Sequence, residues 1–401
     1  MKVMQINAVY GVGSTGVIVE DIHNLSLKNG IDSFVSYSTT NKNPADIKNG
    51  YIIGNTLGKK LHGFLCRLGG KQAYFSSFAT KKLIKHIESI KPDIVHLHNL
   101  HSNYINLNML LDFLGKKDIA TVVTLHDCWF FTGGCFHYTA AGCSKWKESC
   151  GNCPKRMQDT PALLKDNSAK ILKDRKKYFG KIKKLCVIGA SRWISGEIGK
   201  TFVNEENIYT INNGIDTGFF VPTSSDFRKK HNLEDKFLIL APANKWFLSI
   251  NKKTFDFVSQ NLPEDSVIVM LGCNEAQKES LPSNVVALDY IRDRDELRKV
   301  YSACDVFANC TREDTFPSIN LEIQSCGTPV VTYCNTGAQE TVDNKCGFSV
   351  ENGNEKEFLE AILNVKAKGK ESFSKDCINW VKENFDRDDN YMKYINLYKK
   401  I

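Results

Sequence analysis

Short apolar runs alternate with amphipathic segments along the whole chain, and this pattern predicts strands and helices in alternation. The apolar runs are rich in Val, Ile and Leu and are bounded by polar or glycine-containing turns. Such runs separated by helical segments favour an α/β fold with parallel sheets covered by helices on both faces. The predicted strands are Val3–Val9, Asp32–Tyr37, Asp93–Leu97, Ala120–Leu125 and Leu185–Ala190, followed in the second half by Ile208–Ile211, Phe237–Ala241, Ser266–Leu271, Val285–Asp289, Val306–Asn309, Val330–Tyr333 and Gly347–Val350.

The length of the chain predicts two domains, because 401 residues exceed what one compact core usually supports. A turn signal at Asn212-Asn213-Gly214 separates the two halves of the pattern. We therefore expect an N-terminal domain over residues 1–195, with a cysteine-rich insertion at about 128–154, and a C-terminal domain over 196–385. The boundary is expected between about Ser191 and Pro222. The last segment, about residues 386–401, is rich in tyrosine and is predicted to be a helix that packs back on the first domain.

Charge and hydropathy restrict the environment of the protein. The chain begins on a predicted strand without an apolar leader, and no apolar run reaches the ~20 residues that span a bilayer.

The formal net charge of +8 is concentrated in Lys155–Lys184, with eleven Lys or Arg and three Asp. This window is either a solvated helix face or a surface for anionic lipid or a phosphorylated acceptor. We expect a cytoplasmic protein at the inner face of the plasma membrane, and no nucleic-acid partner because no binding motif accompanies the charge.

A glycine turn follows the first strand. Gly11-Val12-Gly13-Ser14-Thr15-Gly16 satisfies G-x-G-x-x-G and opens a helix, so backbone N–H groups around Gly13 and Ser14 are predicted to face a phosphate. A nicotinamide-binding domain would also carry an acid after its second strand, for the ribose. Phe34–Thr40 contains none, so the nicotinamide interpretation is set aside and a diphosphate remains.

Two acids flank a predicted helix start in the second half. Asp314 and Glu322 are eight residues apart, with Glu313 beside the first, and the segment between them turns into a helix at Ser318 and Ile319. Two carboxylates can hold a polyhydroxylated ligand at two points, while the free amides at the helix start face an anion. This combination suits a nucleoside diphosphate sugar.

Histidines follow two strands of the first half. His126 and Asp127 end the strand Ala120–Leu125, where ligands of open α/β sheets bind. His96 and His98 lie on one face of the preceding strand, as cleft-lining residues, satisfied hydrogen-bonding groups or a metal pair without an evident third ligand.

A group of cysteines lies in a predicted loop after His126. Cys135, Cys143, Cys150 and Cys153 can supply the four thiolates of a structural zinc site, or they are packed thiols in a reducing cytosol. The wide spacing of the first pair leaves both interpretations open.

Lysines follow the first strand of the second half. Lys245 and then Lys252 and Lys253 are either surface residues or groups that neutralise phosphates.

Together these motifs resemble the family-4 retaining glycosyltransferases of GT-B fold, especially those of bacterial capsule, O-antigen and exopolysaccharide synthesis. Asp314–Thr328 resembles the E-x7-E motif and its C-G-T-P-V-V tail, and Asn213–Pro222 resembles N-G-I-D…F-x-P. Three departures from the pattern are Asp314 in place of Glu, Pro317 in place of Gly, and lysines in place of the usual arginine-containing pair.

The resemblance implies two Rossmann-like domains facing each other across a cleft, with roles for individual residues. Glu322 would bind the donor ribose, Asp314 or Glu313 the transferred sugar, and the amides of Ser318 and Ile319 the diphosphate. It also implies that Gly13 and Ser14 contact the diphosphate, that His126 contacts the sugar, and that Lys252 or Lys253 neutralises the leaving phosphate.

The predicted activity is hexosyl transfer from a nucleoside diphosphate sugar to a glycan or lipid-linked saccharide, with retention. Since no paired acidic metal-binding motif is evident, we expect transfer without a catalytic metal or other cofactor. Two alternatives stay open: a nucleotide-sugar epimerase of the same fold, and a non-catalytic carbohydrate-binding subunit of a polysaccharide assembly complex.

Overall fold

The chain forms two compact α/β units. The structure, a computed structural model, describes residues 1–159, 161–279 and 281–401. One unit comprises Met1–Asn212 with Tyr391–Ile401, and the other comprises Asn213–Asn390. Each unit contains one sheet in which all strand pairs are parallel. The predicted α/β fold class is confirmed.

The N-terminal unit contains a seven-stranded sheet in the order β3-β2-β1-β4-β5-β6-β7. Its strands are β1 (Lys2–Tyr10), β2 (Asp32–Thr40), β3 (Gly50–Ile52), β4 (Ile94–Leu97), β5 (Ala120–Leu125), β6 (Leu185–Gly189) and β7 (Ile208–Thr210). Its helices are α1 (Gly13–Lys28), α2 (Thr56–Gly69), α3 (Ser77–Ile90), α4 (Leu107–Lys116), α5 (Ser168–Phe179) and α6 (Arg192–Ile198). The order of the strands reverses at β1, and ligands of such sheets bind beside the carboxyl ends at this point.

The C-terminal unit contains a six-stranded sheet in the order β10-β9-β8-β11-β12-β13. Its strands are β8 (Phe237–Pro242), β9 (Ser266–Leu271), β10 (Val285–Leu288), β11 (Val306–Asn309), β12 (Val330–Cys334) and β13 (Gly347–Glu351). Its helices are α7 (Phe227–Lys230), α8 (Ala243–Trp246), α9 (Lys252–Asn261), α10 (Glu275–Lys278), α11 (Arg294–Ala303), α12 (Ser318–Ser325), α13 (Glu355–Lys368) and α14 (Glu371–Phe385), and the last helix of the chain is α15 (Arg387–Lys400). The central neighbours β8 and β11 therefore direct the segments that follow them to the same edge of the sheet.

The C-terminal helix contributes to the core of the N-terminal unit. Tyr391, Tyr394 and Tyr398 are buried in a cluster with apolar side chains of β1, β4 and β5. The hydroxyl of Tyr398 lies 2.6 Å from His96 Nδ1, so the buried phenol has a polar partner. One aromatic face of α15 thus covers one side of the first sheet.

The boundary between the units lies between Asn212 and Asn213. Strand β7 pairs with β6, with Val187 opposite Ile208, so the chain up to Asn212 belongs to the first unit. The boundary therefore falls after the division at 195/196 but within the expected range of Ser191 to Pro222. The assignment of Ile208–Ile211 to the second half was wrong, because this edge strand completes the first sheet. Strand β3 was not predicted, since its three residues are mostly exposed and form no apolar run.

No helix in the described part of the chain combines the length and hydrophobicity needed to cross a bilayer.

Candidate functional site

The start of α12 presents backbone amides that no side chain caps. Pro317 is the N-cap residue and has no side chain able to accept from the first turn, so the N–H groups of Ser318 and Ile319 have no side-chain cap. Proline fixes its own φ near the value this position needs. The first amides of a helix carry partial positive charge and suit an anionic group.

Glu322 lies on the same helix, in an environment that disfavours its charge. Its side chain is largely withdrawn from solvent, and burial raises the pKa of the carboxyl to about 7 despite the opposing charge of Arg294 and a hydrogen bond from Tyr301. Both partners lie on α11, the neighbouring helix. A carboxyl that is only half ionised near neutral pH becomes ionised when a ligand donates hydrogen bonds to it.

Asp314 forms an ion pair in the loop before α12. Its Oδ2 lies 3.1 Å from Lys245 Nζ, and about a quarter of each side chain is exposed. Its Oδ1 accepts the N–H of Phe316 at 3.3 Å, and its own N–H donates to Thr336 Oγ1 at 3.2 Å. Lys245 follows β8 and Asp314 follows β11, so the pairing of these two strands with each other brings the side chains together.

A network of buried polar side chains fixes the position of α12 and of the loop before it. Asn309, at the end of β11, donates to Asn320 Oδ1 at 2.8 Å, and Asn320 donates to Thr341 Oγ1 at 2.8 Å. Gln324 donates to the carbonyls of Asn320 and Thr341, both at 2.8 Å. Paired polar groups of this kind fix one arrangement of α12 relative to the strands.

The other predicted lysines lie elsewhere. Lys252 is exposed and pairs with Asp256 of its own helix at 2.6 Å. Lys253 pairs with Glu355 at 2.9 Å and is also exposed. The structure therefore does not bring these two lysines to Asp314 and brings Lys245 instead. Glu313 is partly exposed, and its carbonyl accepts from Thr311 Oγ1 at 3.1 Å.

The glycine turn of the N-terminal unit has the conformation that its sequence predicts. Gly11 and Gly13 have φ of 65° and 63°, which side-chain-bearing residues rarely adopt. A Cβ on Gly16 would lie 3.2 Å from the backbone nitrogen of Gly11, so a side chain at this position would crowd the turn. Helix α1 begins at Gly13 without a side-chain cap, and Ser14 in its first turn is exposed. The turn can therefore present amides to an anion.

His126 ends β5 in a chain of hydrogen-bonded side chains. Its Nε2 lies 3.1 Å from His98 Nδ1, and His98 Nε2 lies 3.1 Å from Gln5 Oε1. Burial lowers the pKa of His126 to about 4 and that of His98 well below its usual value, so both imidazoles are neutral at pH 7. The adjacent Asp127 instead pairs with His101 at 3.1 Å.

His96 is a structural residue within this group. Its Nδ1 lies 2.6 Å from the Tyr398 hydroxyl and its Nε2 lies 2.8 Å from Thr124 Oγ1, so both ring nitrogens have partners inside the core. The imidazoles of His96 and His98 are neighbours, with ring centroids 3.9 Å apart. Of the alternatives for these two histidines, satisfied hydrogen bonding describes both.

The four cysteines of the predicted zinc site line one small cavity. Cys135, Cys143, Cys150 and Cys153 surround it together with Trp146, which is buried. All four are free thiols, and burial raises the pKa of Cys135 to about 12 and that of Cys150 to about 11. Across residues 1–159, 161–279 and 281–401, however, no three His, Cys, Asp or Glu side chains are arranged to hold a metal ion. Zinc therefore stays a prediction.

Three residues for which the sequence predicted no role complete the site of the C-terminal unit. The charge of Arg294 and a hydrogen bond from Tyr301 both lower the pKa of Glu322, against the effect of burial. Thr336 Oγ1 accepts a hydrogen bond from the N–H of Asp314. Their roles depend on packing between α11, α12 and the loop after β12, and no local spacing indicates such contacts.

Two family models match the chain, one in each half. Residues 57–219 match the model described as Glycosyltransferase Family 4, and residues 249–367 match the model described as Glycosyl transferases group 1. A curated relative from Escherichia coli K12, the putative colanic acid biosynthesis glycosyl transferase WcaC, is 25% identical over 374 residues, which cover 90% of this chain and 89% of the relative.

Solved structures show the same fold at low sequence identity. Sucrose-phosphate synthase from Thermosynechococcus elongatus superposes with a TM-score of 0.73 at 15% identity, covering 100% of this chain and 98% of that one. HepE from Anabaena, solved in complex with UDP-glucose, gives 0.69 at 14% identity and covers 100% of both chains. WaaG, a glycosyltransferase of lipopolysaccharide biosynthesis, gives 0.65 at 14% identity and covers 98% of this chain and 99% of its own.

Proposed function

Since the chain belongs to the family-4 glycosyltransferases of GT-B fold, we propose that it transfers a hexosyl group from a nucleoside diphosphate sugar to a glycan or lipid-linked saccharide. We place this reaction in bacterial surface polysaccharide synthesis, because the curated relative is named for colanic acid biosynthesis. Retention of the anomeric configuration, which the resemblance of the motifs to that family implies, and transfer without a catalytic metal are parts of this proposal.

The observation that carries the proposal is the arrangement around α12. Uncapped amides at Ser318 and Ile319 suit a diphosphate, and the side chain of Glu322 follows one turn later on the same helix. A carboxylate that accepts two ribose hydroxyls, beside amides that bind the adjoining phosphates, matches the chemistry of a nucleoside diphosphate.

The chemical step requires stabilisation of the negative charge that develops on the departing diphosphate. The α12 amides and the ammonium group of Lys245 supply fixed positive charge for this purpose. Asp314 pairs with Lys245, and its position is fixed by two hydrogen bonds, one from its own N–H and one to its Oδ1. Its role in this proposal is to orient the sugar. In the N-terminal unit, the amides of Gly13 and Ser14 are proposed as further diphosphate contacts and His126 as a contact of the transferred sugar.

The direct test is donor binding and transfer by Glu322→Ala, after a panel of nucleotide sugars has been screened for thermal stabilisation. Loss of charge-assisted hydrogen bonds worth about 1.5–3 kcal/mol should weaken donor binding about 10- to 100-fold. Glu296→Ala is the matched control, because Glu296 is an exposed acid on α11 that pairs with Lys299. Wild-type donor affinity in Glu322→Ala would refute the assignment.

The alternatives are separated by the products. Donor incubated alone gives an epimer with an epimerase and no epimer with a transferase, as followed by NMR. Donor binding without turnover on any acceptor would indicate a non-catalytic subunit.

A further inference from the structure

Asp314 ends a short segment that one chain of hydrogen bonds holds at both ends. The side-chain amide of Asn335 donates to the carbonyl of Arg312, two residues before Asp314. The side-chain oxygen of Asn335 accepts from Thr336 Oγ1 at 3.1 Å, and Thr336 Oγ1 accepts in turn from the N–H of Asp314 at 3.2 Å. Asn335 and Thr336 therefore fix the backbone of residues 312–314 from its first carbonyl to its last N–H.

The order of the strands brings these two segments together. β11 and β12 are parallel neighbours, with Phe307 opposite Val330, so the loops that follow them leave the sheet at the same edge. Thr336 is fully buried and Asn335 is half-buried. Because buried polar groups are costly to leave unpaired, this chain of hydrogen bonds favours a single conformation of the two loops.

The side chain of Arg312 anchors the same segment on another side. Its Cζ lies 5.5 Å from the ring centroid of Tyr333, and its Nη2 lies 3.7 Å from Glu355 Oε1. Gly353 leaves room for the guanidinium group, since a Cβ at this position would lie 2.5 Å from Arg312 Nη1. The side chain of Arg312 is only 19% exposed, so it is packed within the unit and fixes the start of the segment.

The groups proposed to bind the nucleotide are fixed by other contacts. Glu322 and the uncapped amides lie on α12, and this helix is held through Asn320 by the side chains of Asn309 and Thr341. The hydrogen bonds of Asn335 are made to the loop before the helix. A substitution of Asn335 is therefore expected to displace that loop and to leave α12 in place.

We propose that Asn335, Thr336 and Arg312 are positioning residues of the transfer step. They hold the carboxylate of Asp314 beside Lys245, where it orients the transferred sugar, and they set kcat and not the affinity for the nucleotide. Displacement of a positioned group by about 1 Å can lower a rate about 100-fold, so the loop must be fixed as firmly as the groups that it carries. This inference rests on the proposed transferase function.

The first experiment is amide hydrogen exchange of the full chain, read by mass spectrometry, and it requires no donor. In Asn335→Ala, peptides that cover residues 312–316 should exchange about tenfold faster than in the wild type, whereas peptides from α12 should keep their rates. Asn284→Ala is the matched control, because Asn284 also donates to a backbone carbonyl, that of Ser259 at 2.8 Å, and precedes β10 at the opposite edge of the sheet. Equal exchange of residues 312–316 in the wild type and Asn335→Ala would overturn the proposal.

The second experiment is kinetic. Asn335→Ala, Arg312→Ala and Thr336→Val should each lower kcat about 10- to 100-fold, while the Kd of whichever of UDP, GDP and ADP binds the wild type stays within about twofold. Thr336→Ser restores the hydroxyl and should recover most of the kcat that Thr336→Val loses, and Asn284→Ala should keep the wild-type kcat.

The outcomes separate this inference from the proposed function. Wild-type kcat in Asn335→Ala, or a rise in the Kd of the nucleotide that matches the loss of kcat, would overturn the positioning role. Melting temperatures report whether each variant is folded. A wild-type protein that transfers no sugar would refute the proposed function and the catalytic consequence with it, whereas hydrogen exchange would still decide whether Asn335 fixes the segment that ends at Asp314.

Discussion

His98 Nδ1 lies 3.1 Å from Nε2 of His126, and this contact fixes which nitrogen of His126 carries a proton. Gln5 Nε2 donates to the Val19 carbonyl at 3.3 Å, so the Gln5 oxygen faces His98 Nε2 and accepts its proton. Neutral His98 is then an acceptor at Nδ1, and His126 must donate from Nε2. The Nδ1 of His126 is left unprotonated and able to accept a hydroxyl hydrogen.

Gln5→Leu should disturb this arrangement without touching His126. Gln5 is fully buried, and removal of its oxygen frees His98 to adopt either tautomer. If His126 contacts the transferred sugar, kcat should fall about tenfold while KM for the donor changes little. Long-range ¹H–¹⁵N spectra of the imidazoles give the structural readout: His126 protonated at Nε2 in the wild type and a mixture in the variant. A wild-type His126 protonated at Nδ1 would contradict the assignment.

The raised pKa of Glu322 leads us to expect that donor affinity depends on pH. Because burial raises its pKa to about 7, the carboxyl of the free protein is mostly neutral at pH 6 and mostly ionised at pH 8. Ribose hydroxyls donate to the ionised form, so donor affinity should rise about tenfold between these values. Burial raises the pKa of Tyr301, which faces the group, well above its usual value, so this phenol stays protonated over the range.

The measurement for Glu322 is isothermal titration of a nucleotide sugar at several pH values. A nucleotide sugar is preferable to the free diphosphate, because it lacks the terminal phosphate that titrates near pH 6. Glu322→Gln should bind more weakly at pH 8 and show a flat profile. A flat profile in the wild type would exclude Glu322 as the titrating ribose ligand.

If Cys135, Cys143, Cys150 and Cys153 form a structural site, the protein should contain zinc. Four thiols that line one cavity are the ligand set of a structural zinc site, so elemental analysis should find about one zinc per chain if they bind the metal. Cys150→Ser should lower both the zinc content and the melting temperature. Cys334→Ser is the control, because this thiol is exposed in the C-terminal unit. A folded wild-type protein without metal would leave packed thiols as the correct interpretation.

The sequence predicted the elements better than the contacts between them. Buried parallel strands such as β8 are continuous apolar runs, and the glycine turn at Gly11–Gly16 is required by local geometry, so both were evident. The unpredicted strand β3 has three residues and no apolar run. The domain boundary moved because β7 pairs with β6, a contact that depends on the whole sheet.

Side-chain partners were the least predictable part of the candidate site. Lys245, Lys252 and Lys253 are chemically alike in the sequence, and only the pairing of β8 with β11 brings Lys245 to Asp314. The raised pKa of Glu322 depends on the burial of its side chain, which outweighs the opposing effects of Arg294 and Tyr301 of α11. Strand order decides which lysine contacts Asp314, and burial decides the pKa of Glu322. The spacing of residues in the motifs indicates neither.

The comparison of Lys245→Ala with Lys252→Ala tests which lysine serves the leaving group. Lys245 is held 3.1 Å from Asp314, so its charge is fixed near the α12 amides, whereas Lys252 pairs with Asp256 on an exposed helix. If Lys245 stabilises the departing diphosphate, Lys245→Ala should lower kcat about 10- to 100-fold, equivalent to about 1.4–2.7 kcal/mol of transition-state stabilisation. Lys252→Ala should leave kcat within about twofold of the wild type, since exposed ion pairs contribute little. A larger loss of kcat in Lys252→Ala than in Lys245→Ala would assign the leaving-group role to Lys252. Equal losses of kcat would contradict the structure, in which only Lys245 contacts Asp314.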